Sequence, residues 1–498
     1  MNRKLVSLGL FSVLMLSFFS LRAQKEDIEA IINKAEAVSH FKFLAADELM
    51  GRDPARPEID VAALYIANQF EKYGAQPLEQ IGSYYQPVPF RYSSPPSVGT
   101  VYWNNDTLQH GEELLVLAGD DIAGDFEAVV LGYGLEEDYK NVEVAGKWVV
   151  VRVGAPDRLS PPQLFAAGRE KMALARSKGA AGLIEMYNVP TTPWSLLVNY
   201  LNKPQLGLDT DPDAEESIPY LWMKDLTGER IQAIRDESSQ LQIDIRGKIN
   251  RKIPGKNVVA YIEGTDDTMR DEYLMLSAHY DHVGIGAPNA EGDSIYNGAR
   301  DNAVGTAALI QAAQYFGVHP PKRSILLCAW TAEEKGLLGS SYFADNPPVE
   351  LSDIVYNLNI DNAGYNDTTL VTVIGLGRSS ADHHIQEAAR AFGLEAIADP
   401  APEQGLYDRS DNVNFAKKGI PAPTFSLGFT AFDAEIAKHY HQASDEVSNF
   451  NLDYAIKYWK SYILSAQTIA NDPQQPLWIE GDKYEEAGKN LYGTHSNE

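Results

Sequence analysis

From residue 256 to residue 470 the sequence alternates short apolar runs with longer segments whose apolar residues recur at helical spacing. The runs occupy 256–262, 274–278, 324–330, 354–360, 370–374 and 422–426, and the helical segments 303–316, 335–345, 381–392 and 451–470. A strand that is apolar along its whole length must be covered on both faces, and strands separated by helices are joined by crossovers. This rhythm predicts an α/β fold, a mostly parallel mixed sheet flanked by helices. No 20–50-residue repeat accompanies it.

The texture differs upstream. Residues 26–74 read as helices, with Ile59, Ala62, Ala63, Ile66, Ala67 and Phe70 at helical spacing and Gly74 as a stop. From about 95 to 250 the chain turns to short β-rich runs, such as 127–131 and 147–152, with Gly132, Gly134, Gly146 and Gly154 around them and a helix at 165–177. At 498 residues two or three domains are expected. The division read from texture is a targeting segment 1–23, a helical part 24–94, a β-rich insertion 95–250, the main α/β part 251–475, and a polar tail 476–498 that docks loosely.

Residues Met1 to Lys4 are basic, the run Leu5 to Leu21 is mostly apolar, and Leu21-Arg22-Ala23 before Gln24 has the small-residue character of a cleavage site. These features predict export to the periplasm or the medium, with no membrane attachment after cleavage. Lys+Arg 42 against Asp+Glu 69 gives a net charge of −27. So acidic a chain repels nucleic acid and anionic lipid, and neither is an expected partner. The single cysteine, Cys328, cannot form an intramolecular disulfide; its apolar strand raises the thiol pKa and argues against a nucleophile.

Polar chemistry collects where the apolar runs end. His279 closes the run 274–278, with Asp281 two residues on to orient it and His282 read as structural. Asp301 precedes the helix 303–316, Glu333 and Glu334 follow 324–330, Asp361 follows 354–360, and His441 lies in His439-Tyr440-His441. Each has an ordinary reading: a structural histidine, a helix N-cap, an acidic helix start. Together, five segments offer ligands for two Zn²⁺ ions, with Co²⁺ or Mn²⁺ as substitutes. Asp301, Glu334, Asp361 and a bridging hydroxide balance four positive charges, with His279 and His441 as neutral ligands. Adjacent carboxylates can divide the work, one a ligand and the other a general base.

At these motifs the sequence resembles the M28 family of zinc peptidases, through 278–284, 298–305, Ala332-Glu333-Glu334, Asp361 and Tyr440-His441. The resemblance implies that His279 and Asp361 hold one zinc, Glu334 and His441 the other, and that Asp301 bridges. It implies Glu333 as general base and Tyr440 as hydrogen-bond donor to the oxyanion. The insertion is similar to a protease-associated (PA) domain, chiefly through 144–152 and 171–181, and such a domain often limits what reaches the site.

Arg300 and Arg409 depart from the simplest pattern; Arg300 is expected to pair with a surface carboxylate, and Arg409 to lie near the pocket mouth. The reading is an exported di-zinc aminopeptidase acting on peptides. The alternatives are a carboxypeptidase of the same fold, a glutaminyl-cyclase-like acyltransferase, and a non-catalytic binding protein. Oligomeric state is left open.

Overall fold

The structure, a computed structural model, describes residues 21–103, 106–157, 159–210, 217–236 and 240–493. Residues 1–20 of the expected targeting segment lie outside the described residues. Two units are present, Met1–Val88 with Pro254–Glu498, and Pro89–Ile253. The divisions fall at 89 and 253 where texture suggested 95 and 250. The strands Tyr85–Ser93 and Asn250–Ile262 run across them, so composition does not change at the boundary itself.

In the first unit the elements used below are helices α1 (Lys34–Leu44), α2 (Glu58–Lys72), α3 (Val304–Phe316), α4 (Leu338–Asp345), α5 (Asp382–Ala391), α6 (Leu452–Asn471) and α7 (Glu485–Tyr492). Its strands are β1 (Asn250–Ile262), β2 (Tyr273–His279), β3 (Ser324–Trp330), β4 (Ile354–Ile360), β5 (Leu370–Ile374), β6 (Glu395–Ala398) and β7 (Thr424–Leu427). They lie in the order β6-β5-β7-β4-β2-β3-β1. Strand β2 is central and pairs in parallel with β3 and β4, while β4 with β7 and β5 with β6 are also parallel. The pairs β1–β3 and β5–β7 are antiparallel. The sheet is thus mixed and mostly parallel.

Strand periodicity sorts the side chains into two cores. Leu274, Leu276 and Ala278 of β2 face a layer that includes Phe41, Phe70, Leu309, Ile385 and Trp459 from the helices, whereas Met275 belongs with Leu326, Cys328, Trp330, Phe343 and Phe415 on the other face. Burial on both faces explains why β2, β3 and β4 read as continuous apolar runs. Asn451 caps α6, accepting from the backbone N–H groups of Asp453 and Tyr454. From that helix the Tyr458 hydroxyl donates to Asn362 Oδ1 (2.8 Å) and the Tyr462 hydroxyl to the Leu358 carbonyl (2.8 Å), tying α6 to the end of β4.

The carboxyl-terminal segment corrects the expectation of loose docking. Trp478 is buried and donates its indole N–H to the Gly419 carbonyl at 2.8 Å, and the Tyr492 hydroxyl at the end of α7 donates to Ile354 at 2.6 Å. A few aromatic anchors outweigh a polar average composition.

The second unit holds, among the described residues, an eight-stranded sheet with strands 128–130, 148–152, 182–187 and 220–224 parallel along its middle, except that 220–224 also pairs antiparallel with 114–118. Its interior contains a buried Lys171–Glu185 ion pair at 2.6 Å, with the Tyr220 hydroxyl and Trp222 indole donating to the same carboxylate. Among the described residues no helix is long and apolar enough to cross a membrane.

Candidate metal centre

Three parallel strands deliver the site. β2 ends on His279, β3 is followed by Glu333 and Glu334, and β4 by Asp361, so the ligand candidates gather at the carboxyl ends of adjacent strands, where open α/β sheets bind ligands. Asp301 comes from the turn entering α3, and His441 from the loop after the short helix Ala434–Ala437. Ala332 and His441 both adopt positive φ, 56° and 52°. Such conformations cost energy in non-glycine residues and concentrate at functional sites.

The donor atoms fall into two sets that share Asp301: His279, Asp301 and Asp361, and His282, Asp301, Glu334 and His441, each within 4.8 Å of one another. His279 Nε2 is 3.1 Å from Asp361 Oδ1 and 3.3 Å from Asp301 Oδ1. His441 Nε2 is 3.1 Å from Asp301 Oδ2 and 3.2 Å from Glu334 Oε2. The two oxygens of Asp301 therefore face opposite halves of the cluster.

Three details differ from the sequence reading. His282 is part of the cluster and not merely structural: its Nδ1 donates to Glu334 Oε1 at 2.8 Å, and its ring meets His441 edge-on. The three-residue spacing from His279, across a turn leaving the strand, was the available signal. Asp281 does not receive the second N–H of His279 on its carboxylate, which lies 3.8 Å away; that Nδ1 points at the Asp281 carbonyl oxygen, 3.2 Å away. The carboxylate accepts instead from the half-buried backbone N–H groups of Glu333 (3.0 Å) and Glu334 (3.2 Å). Arg300 pairs with no surface group. It bonds Asp445 at 2.9 Å, with side-chain exposures of only 5% and 1%.

The electrostatics suit cation binding. Burial alone would press His441 toward neutrality, but hydrogen bonds with Asp301 and Glu334 draw it up to about 10. His279 is likewise raised, against its burial, by Glu333, Asp361 and Asp301. A field that favours protons on two imidazoles also favours a metal ion, which competes for the same lone pairs. Glu334 is held below the ordinary carboxylate range because hydrogen bonds from His282 and His441 outweigh burial. Its neighbour Glu333 goes the other way, raised well above that range by burial and by Asp361, Glu334 and Asp411. Two adjacent carboxylates thus have opposite tendencies, the signature of divided roles. Hard oxygen and borderline imidazole donors in two sets suit zinc.

The cluster floors a cleft of ≈ 580 Å³, walled by Ile374, Leu406, Phe429, Phe432 and Tyr440, with Arg409 on its lining. Tyr440 stacks on His441 at 4.0 Å, and burial raises its phenol, so the hydroxyl keeps its proton.

Fold and donor set together define a metal-binding α/β protein. Residues 257–465 match the model of peptidase family M28. It is 26% identical over 290 residues to aminopeptidase YwaD of Bacillus subtilis, covering 57% of this chain and 55% of that one. It is 25% identical over 315 residues to leucine aminopeptidase 2 of Trichophyton rubrum, covering 61% and 55%. A probable zinc metalloprotease of Pyrenophora teres f. teres is 35% identical over 263 residues, covering 44% and 52%. The matched regions span about half the length of these relatives. An aminopeptidase structure from Aneurinibacillus sp. strain AM-1 superposes with a TM-score of 0.54 at 19% identity, covering 91% of this chain and 97% of that one, a likeness of fold.

Proposed function

We propose that the protein is an exported zinc aminopeptidase that removes amino-terminal residues from peptides. The observation that carries this reading is Asp301, whose two oxygens serve two donor sets, beside a Glu333 carboxylate committed to neither. His279 and Asp361 would hold one zinc, Glu334 and His441 the other, with Asp301 between them. Bound zinc would supply Lewis acidity toward the scissile carbonyl and the attacking water.

The chain's own residues do the rest. Glu333, buried and raised in pKa, takes a proton from the water and returns it to the departing amine. Tyr440 keeps its phenolic proton and donates toward the developing oxyanion. Asp281, by gripping the N–H groups of Glu333 and Glu334, fixes the turn on which base and ligand sit. The free α-amine would be received at the open second metal and the nearby acids. The insertion is read as a PA-type domain.

The carboxypeptidase reading needs a cation for the terminal carboxylate; Arg300 is spent on Asp445, which leaves Arg409 on the cleft lining as its candidate among the described residues. A one-zinc cyclase would have no use for the second donor set around His279 and Asp361. Metal content per chain, measured with hydrolysis of matched peptides bearing free and blocked amino termini, tests the proposal. Two zincs and activity confined to the free amine support it. Cleavage of blocked peptides from the carboxyl end, or one zinc without hydrolysis, refutes it. Amino-terminal sequencing of the exported protein tests cleavage after Ala23.

A further inference from the structure

We propose that Arg409 is a carboxylate-binding subsite of the cleft, so that the enzyme prefers substrates that bring a carboxylate to it. The inference rests on the peptidase reading above and adds a substrate class to it.

The argument starts from how the short helix Leu406–Arg409 is turned. Asp408 is committed to Lys483 at 2.8 and 3.1 Å, away from the cleft, and Arg409, the next residue, lines the cleft. Three buried or half-buried arginines of this unit are engaged. Arg52 donates to the carbonyls of Tyr280, Asn297 and Gly298, Arg300 pairs with Asp445, and Arg378 forks onto Asp482 while lying over the Tyr407 ring. Among the described residues the Arg409 guanidinium has no hydrogen bond, ion pair or ring contact. Among the described residues it is also the one cationic residue lining the cleft.

Its surroundings sharpen the point. Asp301, Glu333, Glu334 and Asp361 line the same cleft, yet none lies within ion-pairing distance of Arg409. Asp301, Glu334 and Asp361 belong to the metal sets and Glu333 is the proposed base, so the guanidinium is left for an incoming group. Tyr440, the proposed oxyanion donor, lines the same cleft as Arg409. A chain of net charge −27 otherwise repels anionic substrates, and this is where the cleft reverses that sign. Guanidinium matches carboxylate in a two-point fork, a geometry lysine cannot reproduce. Leu406, Phe429 and Phe432 line the same cleft, and Arg409 is itself exposed to an incoming group.

Two positions of a short peptide could supply the carboxylate: the side chain of an acidic first residue, or the terminal carboxylate of a dipeptide. The test measures kcat/KM of the zinc-loaded protein on Leu-Ala-amide, Glu-Ala-amide and free-acid Leu-Ala, in wild type and in Arg409→Ala, Arg409→Lys and Arg409→Glu. The readout is the ratio of each carboxylate-bearing substrate to Leu-Ala-amide, with zinc content confirming that each variant folds. Wild type is expected to favour at least one carboxylate-bearing substrate by about 10- to 100-fold, the scale of a charge-assisted bond. The advantage should lie mainly in KM, shrink with added salt, collapse in Arg409→Ala, survive in part in Arg409→Lys and invert in Arg409→Glu. An advantage for Glu-Ala-amide assigns the first side chain, and one for free-acid Leu-Ala assigns the terminal carboxylate.

No advantage in either comparison, or one that persists in Arg409→Ala, overturns the subsite and leaves Arg409 a solvated surface residue. Failure to hydrolyse Leu-Ala-amide at all is a different result. It strikes the aminopeptidase reading itself, and the subsite falls with it.

Discussion

Replacing Asp445 by asparagine should destabilise the first unit by about 3 kcal/mol or more and loosen the proposed grip on zinc. Asp445 takes the Arg300 guanidinium at 2.9 Å, the Arg300 backbone N–H at 2.9 and 3.0 Å, and the Asp301 N–H at 3.2 Å. The guanidinium also donates to the Asn449 carbonyl at 3.0 Å and lies between the rings of Tyr365 (5.3 Å) and Phe450 (5.6 Å). Removing one member of a buried pair strands the other charge, at a cost of about 3–5 kcal/mol. Arg300→Met should cost less than Asp445→Asn, because the surviving carboxylate keeps its backbone donors. The double variant should fall short of the sum by about 1–3 kcal/mol, the coupling expected of groups in one network. Urea unfolding of the zinc-free proteins gives the energies, and zinc retention during dialysis reports on Asp301, whose backbone Asp445 holds. An Asp445→Asn change within about 0.5 kcal/mol of wild type, the range of ordinary surface substitutions, would refute the reasoning. So would strict additivity.

Glu333→Gln should keep both zincs and lose about 10²–10⁴ in turnover, the worth of general acid–base catalysis; an undiminished rate removes the base assignment. His282→Ala should weaken zinc binding about 10–100-fold at the Glu334–His441 half, as loss of a ligand's hydrogen-bond partner does, and competition with a chelator should show one equivalent leaving first. Two equivalents held as tightly as in wild type would return His282 to a structural role. His40, bonded to the hydroxyls of Tyr65 (2.8 Å) and Tyr73 (3.2 Å), is held down to about 4 by burial. Its unfolded value is near 6.5, so the unfolded chain takes the proton first; the stability is present above pH 6.5 and drains away as pH falls toward 4. Unfolding at pH 7 and pH 4.5 should therefore show a smaller loss in His40→Gln than in wild type, by about 2–3 kcal/mol, and equal losses would contradict the linkage.

Much of the first unit was legible because β2, β3 and β4 are buried on both faces, which leaves a continuous apolar run, and because acids and imidazoles stand out where such runs stop. What escaped depends on contacts distant in sequence. Whether Arg300 faces a substrate or a buried partner is decided by Asp445, and the pairing exists only once α6 and its preceding loop have docked. His282 and Asp281 were misassigned because a few φ/ψ angles in the turn after β2 settle which of three adjacent polar groups turns toward Glu334. The tail was misread from its average polarity, although Trp478, Tyr484 and Tyr492 were there to be seen as anchors.

The order in which the chain is made has a consequence for when activity can arise. Phe41 of α1 packs edge-on against Phe450 and Trp459. Its helix face must wait about 420 residues for that partner, on the order of 20–80 s at ~5–20 residues per second of synthesis. The second unit, contiguous from Pro89 to Ile253, can close on itself during that interval. His441 emerges only after the other members of the cluster, and α6 later still. A nascent or interrupted chain can therefore carry a finished insertion while lacking any assembled centre, so the proposed activity cannot arise before α6 has been made.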